Sequence, residues 1–206
     1  MVFDNAFFSE WDQVQAGFVK TLWIFLFSVV LATALGTILG SFRVSPIPSL
    51  RAAGTTYVNV FRNTPLVVIL LLAVAVIPTL GFNDLGFGFG VYSFNTFEVM
   101  GIIGLSVYTA AFVCEAVRSG VNSVPAGQAE AARSIGMDFV QSLRMVVLPQ
   151  AFRVIVPPLT SIYIALAKNT SVLATVGVAE AAYIMKKLGT QFTSDIYWIF
   201  LGFALG

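Results

Sequence analysis

The stretch TLWIFLFSVVLATALGTILGSF, residues 21–42, is a run without a charge, and it is bounded by Lys20 and Arg43. About 20 apolar residues in an α-helix cross the hydrocarbon core of a bilayer, which is about 30 Å thick. The run therefore predicts a membrane-spanning helix.

Four further apolar runs follow this helix. Residues 63–83 and 99–114 are uncharged, and residues 154–173 are interrupted by a single lysine. The last run, residues 196–206, gives about 16 Å of helix at 1.5 Å per residue, which is half of a bilayer. The sequence therefore predicts an all-α, polytopic membrane helix bundle in one domain, residues 1–206. It has five transmembrane helices, the fifth truncated at the C-terminus.

The composition excludes several functional classes. Hydrophobic residues make up 58% of the chain and charged residues 10%, whereas soluble domains carry about 25% charged residues. The net charge of +1 offers no basic surface for nucleic acid. With no histidine and one cysteine, neither a metal site nor a catalytic residue is expected. The chain also lacks a phosphate-binding G-x-x-x-x-G-K-[ST] loop, so we expect it to bind no cofactor itself.

The distribution of positive charge predicts the orientation in the membrane, because Lys and Arg are retained on the cytoplasmic side. The first connection between spans carries three arginines and the third carries four, whereas the second, residues 84–98, has two acids and no base. Lys186 and Lys187 in the fourth connection argue weakly for the opposite orientation. Seven cations outweigh two, so the N-terminus is predicted to lie outside.

A long cytoplasmic connection is predicted over about residues 118–153, although most connections in compact domains are only a few residues long. Ser123 is predicted to cap the N-terminus of a helix within it. Ala132, Ile135 and Phe139 follow at i, i+3 and i+7, a spacing that predicts a short amphipathic helix with one apolar stripe.

Within this connection, Glu130-Ala131-Ala132, Gly136 and Leu148-Pro149 resemble the EAA loop of binding-protein-dependent ABC importer permeases. Val146 stands where the family commonly has Ile. The resemblance implies that these residues form a cytoplasmic coupling helix and its flank, which dock in a cleft of a separate ATPase. From the residues alone, the alternative is an amphipathic helix that merely lies on the membrane. A second tripeptide, Glu180-Ala181-Ala182, lacks the following glycine and is not expected to form such a loop.

Two more stretches narrow the resemblance to the polar amino-acid branch, the histidine/glutamine permease type. Arg62-Asn63-Thr64-Pro65-Leu66 is similar to its Arg-Gly-Thr-Pro-Leu signature, with Asn63 in place of Gly, and residues 108–120 resemble the segment before its EAA loop. The resemblance implies a transport subunit in the plasma membrane of a prokaryote rather than an enzyme. It implies as partners a cytoplasmic ABC ATPase dimer holding ATP and Mg²⁺, a second permease subunit, identical or homologous, and an extracellular or periplasmic amino-acid-binding protein.

The cluster Lys168-Asn169-Thr170-Ser171 lies inside the predicted fourth span. A lysine at the centre of a spanning helix costs about 2.5–3.5 kcal/mol on insertion scales and usually faces a cavity. We expect the cluster to line the substrate path, where the ammonium would pair with a substrate carboxylate, which slightly favours acidic or amidic amino acids. Snorkelling of Lys168 to an interface is an equally weighted alternative.

Charged residues near the cytoplasmic ends of two spans form a second candidate site. Arg62, Glu115 and Arg118 are expected to form an ion network at a gate, next to Thr64 and Pro65 of the family motif. Interfacial anchoring explains each of these charges singly at least as well.

Two apolar features have open interpretations. Gly36-Thr-Ile-Leu-Gly40 is a G-x-x-x-G spacing that permits close helix approach, either within one subunit or in a dimer. The Phe-rich segment of residues 86–90 lies near the lipid interface and has the position to meet an external receptor.

Two rival functions fit parts of this pattern. A secondary amino-acid transporter would carry its own coupling-ion site and repeated halves, which five spans with few buried acids fit poorly. A membrane scaffold subunit without transport activity would use the long connection only as a docking handle.

Overall fold

The fold is built mainly of helices, with one short hairpin that the sequence pattern does not indicate. The computed structural model describes residues 10–89, 92–192 and 196–205. In chain order, the elements are α1 (Trp11–Val44), α2 (Pro48–Asn63), α3 (Leu66–Thr79), β1 (Phe87–Phe89), β2 (Tyr92–Phe94), α4 (Thr96–Asn122), α5 (Ala126–Ser134), α6 (Phe139–Ser142), α7 (Leu148–Asn169), α8 (Ala181–Gln191) and α9 (Ile196–Leu205). A π-helical turn, Leu143–Val147, precedes α7, and a 3₁₀ helix, Thr170–Val176, follows it.

Three segments of the described chain are long and apolar enough to cross a membrane, namely Trp11–Val44, Thr96–Asn122 and Val140–Val176. The helices α2 and α3 together count as a fourth candidate if their break belongs to one span. The helix α9 has ten residues, or about 15 Å of length. Three of the five predicted spans thus have helices of sufficient length, and the count of five stays a prediction.

The second predicted span, residues 63–83, differs most from the structure, because helix covers only Leu66–Thr79. Thr64 is extended, with φ −98° and ψ 127°. A residue before proline is driven out of the α region by the proline ring. Pro65 therefore separates α3 from α2, and the helical part of the apolar run is shortened to 14 residues.

The chain divides into two compact units. The first comprises Met1–Ser28, Leu66–Leu105 and Ala167–Gly206, and the second comprises Val29–Pro65 and Ser106–Leu166. The core of the first unit includes Val14, Ile184, Leu188 and Ile199, and that of the second includes Leu39, Val58, Ala111 and Cys114.

Small residues bring helices of the second unit close together. A Cβ atom at Gly36 would lie 2.5 Å from Cβ of Val113, and one at Gly40 would lie 2.8 Å from a methyl carbon of Val117. Contacts this short force neighbouring atoms to shift, so glycine fits best at both positions. The G-x-x-x-G spacing therefore serves packing of α1 against α4 within this chain.

Polar groups of the first unit join the start of α1 to two later segments. Glu98 is 1% exposed, accepts a hydrogen bond from Asn95 N–H at 2.9 Å, and pairs with Lys20 at 2.6 Å. The Asn95 side chain accepts in return from Glu98 N–H at 3.0 Å, a reciprocal cap of α4. Thr21 accepts a hydrogen bond from Ala181 N–H at 3.0 Å. The second and fourth connections thus lie on the same side as the start of α1, as alternating spans require.

Candidate functional site

The predicted coupling loop is helical, and its helix α5 begins at Ala126. Pro125 is the N-cap residue, with φ −58° and ψ 135°, and no side chain caps the helix. The prediction that Ser123 is the cap is wrong, because its hydroxyl donates to Gly120 O at 2.7 Å. The reason is that α4 continues to Asn122, so Ser123 completes the end of α4.

The glycine of the motif ends α5. Gly136 has φ +91°, a left-handed conformation that side-chain-bearing residues rarely adopt. Its N–H donates to Arg133 O at 3.0 Å, and the N–H of Met137 donates to Ala132 O at 3.2 Å. These bonds satisfy carbonyl groups left free at a helix C-terminus. The position of Gly136 after Glu130 is therefore required by the backbone that closes this short helix.

The surface of the loop is open and partly apolar. Glu130 and Ala131 are exposed, whereas Ala132 is buried. Ile135 is 75% exposed, because the helix ends at Ser134 and leaves it outside the helical face. The predicted stripe of Ala132, Ile135 and Phe139 is therefore wrong for Ile135, and the side chain of Phe139 lies outside the described part of the chain.

More exposed apolar residues continue this surface toward α7. Val140 and Met145 are both 66% exposed, and Met145 lies in the π-helical turn. Leu148 is the first residue of α7 and Pro149 the second, and proline has no backbone N–H to donate to the preceding π-helical turn. The loop thus passes into a spanning segment through a turn type that is rare and often found at functional sites.

The second tripeptide has a different structural role. Glu180 is the N-cap of α8 and accepts hydrogen bonds from Ala182 N–H and Tyr183 N–H, each at 3.0 Å. Burial raises the pKa of Glu180 above its ordinary value, and these hydrogen bonds partly offset the rise. Glu130, by contrast, is an exposed residue inside α5.

The predicted gate residues meet in the second unit. Glu115 lies 3.7 Å from Nη1 of Arg62, whose guanidinium lies 5.6 Å from the centre of the Phe112 ring. Arg43 donates a hydrogen bond to the same carboxylate. The sequence indicated Arg43 only as the flank of the first span, since nothing in its spacing pairs it with Glu115.

Arg118 shares a cavity with Glu115. The cavity is open, has a volume of about 450 Å³, and is lined by Glu115, Arg118, Ser119, Asn122 and Ser123. Four of these residues have i, i+3, i+4 and i+7 spacing and lie on one face of α4. The two other motif residues flank the network, since Thr64 is the C-cap of α2 and Pro65 separates it from α3.

The Lys168 cluster lies where α7 ends. Lys168 and Ser171 are exposed, and Thr170 is buried. The hydroxyl of Thr170 donates to Ala167 O and that of Ser171 to Lys168 O, both at 2.7 Å. Lys168 stands in the last helical turn, where the helix dipole favours a cation. An exposed ammonium is thus held at a helix terminus.

Comparison with known families and proteins gives consistent matches. Residues 16–206 match the family described as "Binding-protein-dependent transport system inner membrane component". The glutamate transport system permease protein GluC of Corynebacterium efficiens is 38% identical over 201 residues, which cover 95% of this chain and 88% of the relative. The glutamate/aspartate import permease protein GltJ of Escherichia coli is 36% identical, with 90% of this chain and 76% of the relative covered. The probable glutamine ABC transporter permease protein GlnP of Bacillus subtilis is 32% identical, with 95% and 84% covered.

Solved structures support the same fold. A chain of an amino acid ABC transporter crystallised with histidines superposes with a TM-score of 0.74 at 24% identity, covering 95% of this chain and 91% of that one. A chain of the MetNI methionine ABC transporter in an inward-facing conformation superposes with a TM-score of 0.68 at 20% identity, covering 95% of both chains.

Proposed function

The chain belongs to the family of binding-protein-dependent transport system inner membrane components, and from that premise we propose that it imports polar amino acids with energy from a separate ATPase. The connection of about residues 118–153, here called the coupling loop, would transmit movement between that ATPase and the spans. The chain itself performs no covalent chemistry. Its N-terminus lies outside and the coupling loop lies in the cytoplasm.

The observation that carries this proposal is the exposed surface of the coupling loop. Ile135 and Met145 expose most of their side chains, and large exposed apolar groups bordered by polar residues mark protein interaction sites. Glu130 offers an anion to a basic partner. The small side chain of Ala131 leaves room for the partner's backbone to approach. A helix that merely lay on the membrane would present one continuous apolar face. In this loop Ala132 is buried, and the exposed Ile135 lies beyond the last residue of α5.

Named relatives support the choice of substrate and partners. Relatives in two Corynebacterium species are named glutamate permeases, and one in E. coli is named for glutamate and aspartate. These relatives also occur in pairs that share a substrate name. GltJ and GltK are both named glutamate/aspartate import permeases, and GlnM and GlnP are both named probable glutamine permeases. We therefore propose an acidic or amidic amino acid as substrate, with a second permease subunit, an ABC ATPase dimer that binds ATP and Mg²⁺, and an external amino-acid-binding protein as partners.

The Lys168 cluster is proposed to line the substrate path. Its exposed ammonium has no ion-pair partner among the residues that the structure describes. Lys168 also lies 15 residues beyond Arg153, or about 22 Å along the helix, so it sits deep in the membrane if Arg153 marks the cytoplasmic surface. A cation at that depth requires a polar environment, which a substrate carboxylate supplies.

Co-purification with the cognate ATPase tests the coupling loop. We expect Glu130→Lys and Ile135→Asp each to abolish capture of the ATPase by the tagged chain, since one reverses a charge and the other removes an apolar contact. Asp84→Lys is the control, because Asp84 is exposed and belongs to the second connection, which is predicted to lie outside the cell. Full capture by both loop variants would refute the coupling assignment. Capture without amino-acid uptake by the wild-type complex would favour a scaffold, and uptake without the ATPase would favour a secondary transporter.

A further inference from the structure

An aromatic hairpin rests on the first span. Strands β1 and β2 are antiparallel, with Phe87 opposite Phe94 and Phe89 opposite Tyr92. Directly paired residues point to the same face of a two-stranded sheet, so the four aromatic residues share one face. Gly88 and Ser93 occupy the other.

This aromatic face packs against two rings of α1. The ring centres of Trp23 and Phe89 are 5.3 Å apart with an edge-on geometry, and those of Trp23 and Tyr92 are 5.8 Å apart. Phe27 makes edge-on contacts with Phe87 and Phe94 at 5.6 and 5.4 Å. Such arrangements are the favoured geometry for aromatic pairs. The hairpin is thus held on the spanning helix by its side chains.

The height of the contact along α1 places the hairpin near a membrane surface. Trp23 and Phe27 lie three and seven residues beyond Lys20, or about 4 and 11 Å along the helix. Lys20 is ion-paired with Glu98 and marks the polar end of the span. Each interfacial layer is several ångströms thick, since a bilayer of about 40–45 Å has a hydrocarbon core of about 30 Å. The hairpin therefore lies at the level where headgroups meet acyl chains.

The chemistry of the hairpin fits that level better than water or hydrocarbon. Phe89 is 50% exposed and Tyr92 41% exposed, and no charged residue occurs in residues 85–97. Among the described residues no third strand pairs with the outer edges of these two short strands, and hydrocarbon cannot satisfy the backbone groups along such an edge. Only an interface supplies apolar contact and water together, and aromatic rings are enriched there.

We infer that strands β1 and β2 form an anchor in one lipid interface, where the exposed edges of Phe89 and Tyr92 contact headgroups and upper acyl chains. The exposed side chains of Leu22 and Leu26 on α1 add apolar surface at the same level along the helix as Trp23 and Phe27. The base of the hairpin is tied to α4, because Leu85 N–H donates to the Thr96 hydroxyl at 3.3 Å. The anchor thereby fixes the depth of α1 and of the start of α4. This inference does not depend on the proposed substrate or on the coupling loop.

Fluorescence quenching by brominated lipids tests the anchor. Trp11→Phe, Trp23→Phe and Trp198→Phe remove all three tryptophans, and Phe89→Trp adds one to the hairpin. The full chain, purified with its partner subunits, is reconstituted into lipid nanodiscs whose acyl chains carry bromine near the headgroup or near the chain end. We expect bromine near the headgroup to quench the fluorescence of the hairpin tryptophan at least about twofold more strongly than bromine near the chain end. Val30→Trp in the same background is the reference for depth, because Val30 is an exposed residue further along α1.

Two results would overturn the inference. Quenching by aqueous acrylamide without quenching by either lipid would place the hairpin in water, and protection on adding the external binding protein would then identify a receptor surface. Strongest quenching by the deep bromine would place it in hydrocarbon. If Phe89→Trp does not fold, Tyr92→Trp reports from the opposite strand on the same face and is judged by the same outcomes.

Discussion

Arg43, whose side chain is 7% exposed, donates a hydrogen bond to the carboxylate of Glu115. The buried guanidinium thus has an anionic partner on α4, whereas the side chain of Arg62 is 47% exposed and lies farther from that carboxylate, at 3.7 Å. Two cations share one anion, but only Arg43 depends on it for compensation in a buried site. The contact of Glu115 with Arg43 is therefore more important for the structure than its contact with Arg62.

This asymmetry predicts unequal effects of substitution. Glu115→Gln should lower the free energy of unfolding by about 1–3 kcal/mol, because a buried charge loses its counter-ion. Arg62→Gln should lower it by less than about 1 kcal/mol, as expected for an exposed pair. Denaturant titration of the purified chain in detergent measures both. Equal losses would show that Arg43 does not rely on Glu115.

Close packing of α1 on α4 predicts that a side chain at Gly36 destabilises the fold. Gly36→Ala should cost about 1–3 kcal/mol, typical of overpacking, because its Cβ would also meet Ala110 O at 2.8 Å. Gly127→Ala is the control, since no atom lies within 4 Å of a Cβ there. The same titration compares the two variants, and a loss at Gly127 as large as at Gly36 would contradict the packing argument.

The positive φ of Gly136 predicts a ranking of substitutions. Gly136→Ala should destabilise the coupling loop by about 1 kcal/mol, and Gly136→Asn by less, because Asn enters the left-handed region more readily. Co-purification of the ATPase should decline in the order glycine, asparagine, alanine. Thermal unfolding of each variant separates loss of binding from loss of the whole fold. If the Gly136→Ala variant bound the ATPase better than the Gly136→Asn variant, the positive φ of Gly136 would not explain the ranking.

Removal of the ammonium at Lys168 tests the substrate path. Lys168→Met should reduce uptake of an acidic amino acid by about tenfold or more, the effect of losing one charge-assisted contact. Lys168→Arg should retain most of the uptake. Transport into proteoliposomes that contain the ATPase measures both variants, and unchanged uptake by Lys168→Met would assign the lysine to anchoring alone.

The buried Glu180 predicts a dependence of stability on pH. Burial raises its pKa in the folded protein, so the folded state holds the proton to higher pH than the unfolded state does. The associated stability is fully present below the ordinary pKa of 4.5 and is lost as pH rises through the folded pKa. Glu180→Gln removes this titration. Unfolding free energies measured between about pH 4 and pH 8 should therefore shift in favour of the variant as pH rises, and a constant difference would exclude Glu180 as the titrating group.

The sequence predicted features that follow from local chemistry. An uncharged run of residues 21–42 was sufficient to predict a long helix there, and the residues around Glu130 predicted a short helix, which is α5. Two contacts between distant segments were not predicted. The hydroxyls of Thr33 and Tyr163 lie 2.6 Å apart, and Arg43 bonds to Glu115, yet no periodicity within one helix encodes either pair.

Helix ends were predicted least well, for identifiable reasons. Ser123 has the chemistry of an N-cap, but α4 extends to Asn122 and uses that hydroxyl for its own last turn. Ile135 fits a helical stripe by spacing, but Gly136 ends the helix before it. The hairpin was hidden because residues 86–90 alternate glycine with phenylalanine, a pattern that indicates flexibility unless a neighbouring surface such as Trp23 and Phe27 holds the rings.

The π-helical turn at Leu143–Val147 sets the rotational phase of the coupling loop. Such a turn holds one residue more than an α-helical turn, and each residue advances a helix by about 100°. Every group before Leu143 is consequently turned by about that angle around the axis of α7, relative to an uninterrupted helix. The single additional residue in the π-helical turn thus sets the direction in which Ile135 and Glu130 face. Its deletion would rotate both side chains by about 100° around the axis of α7.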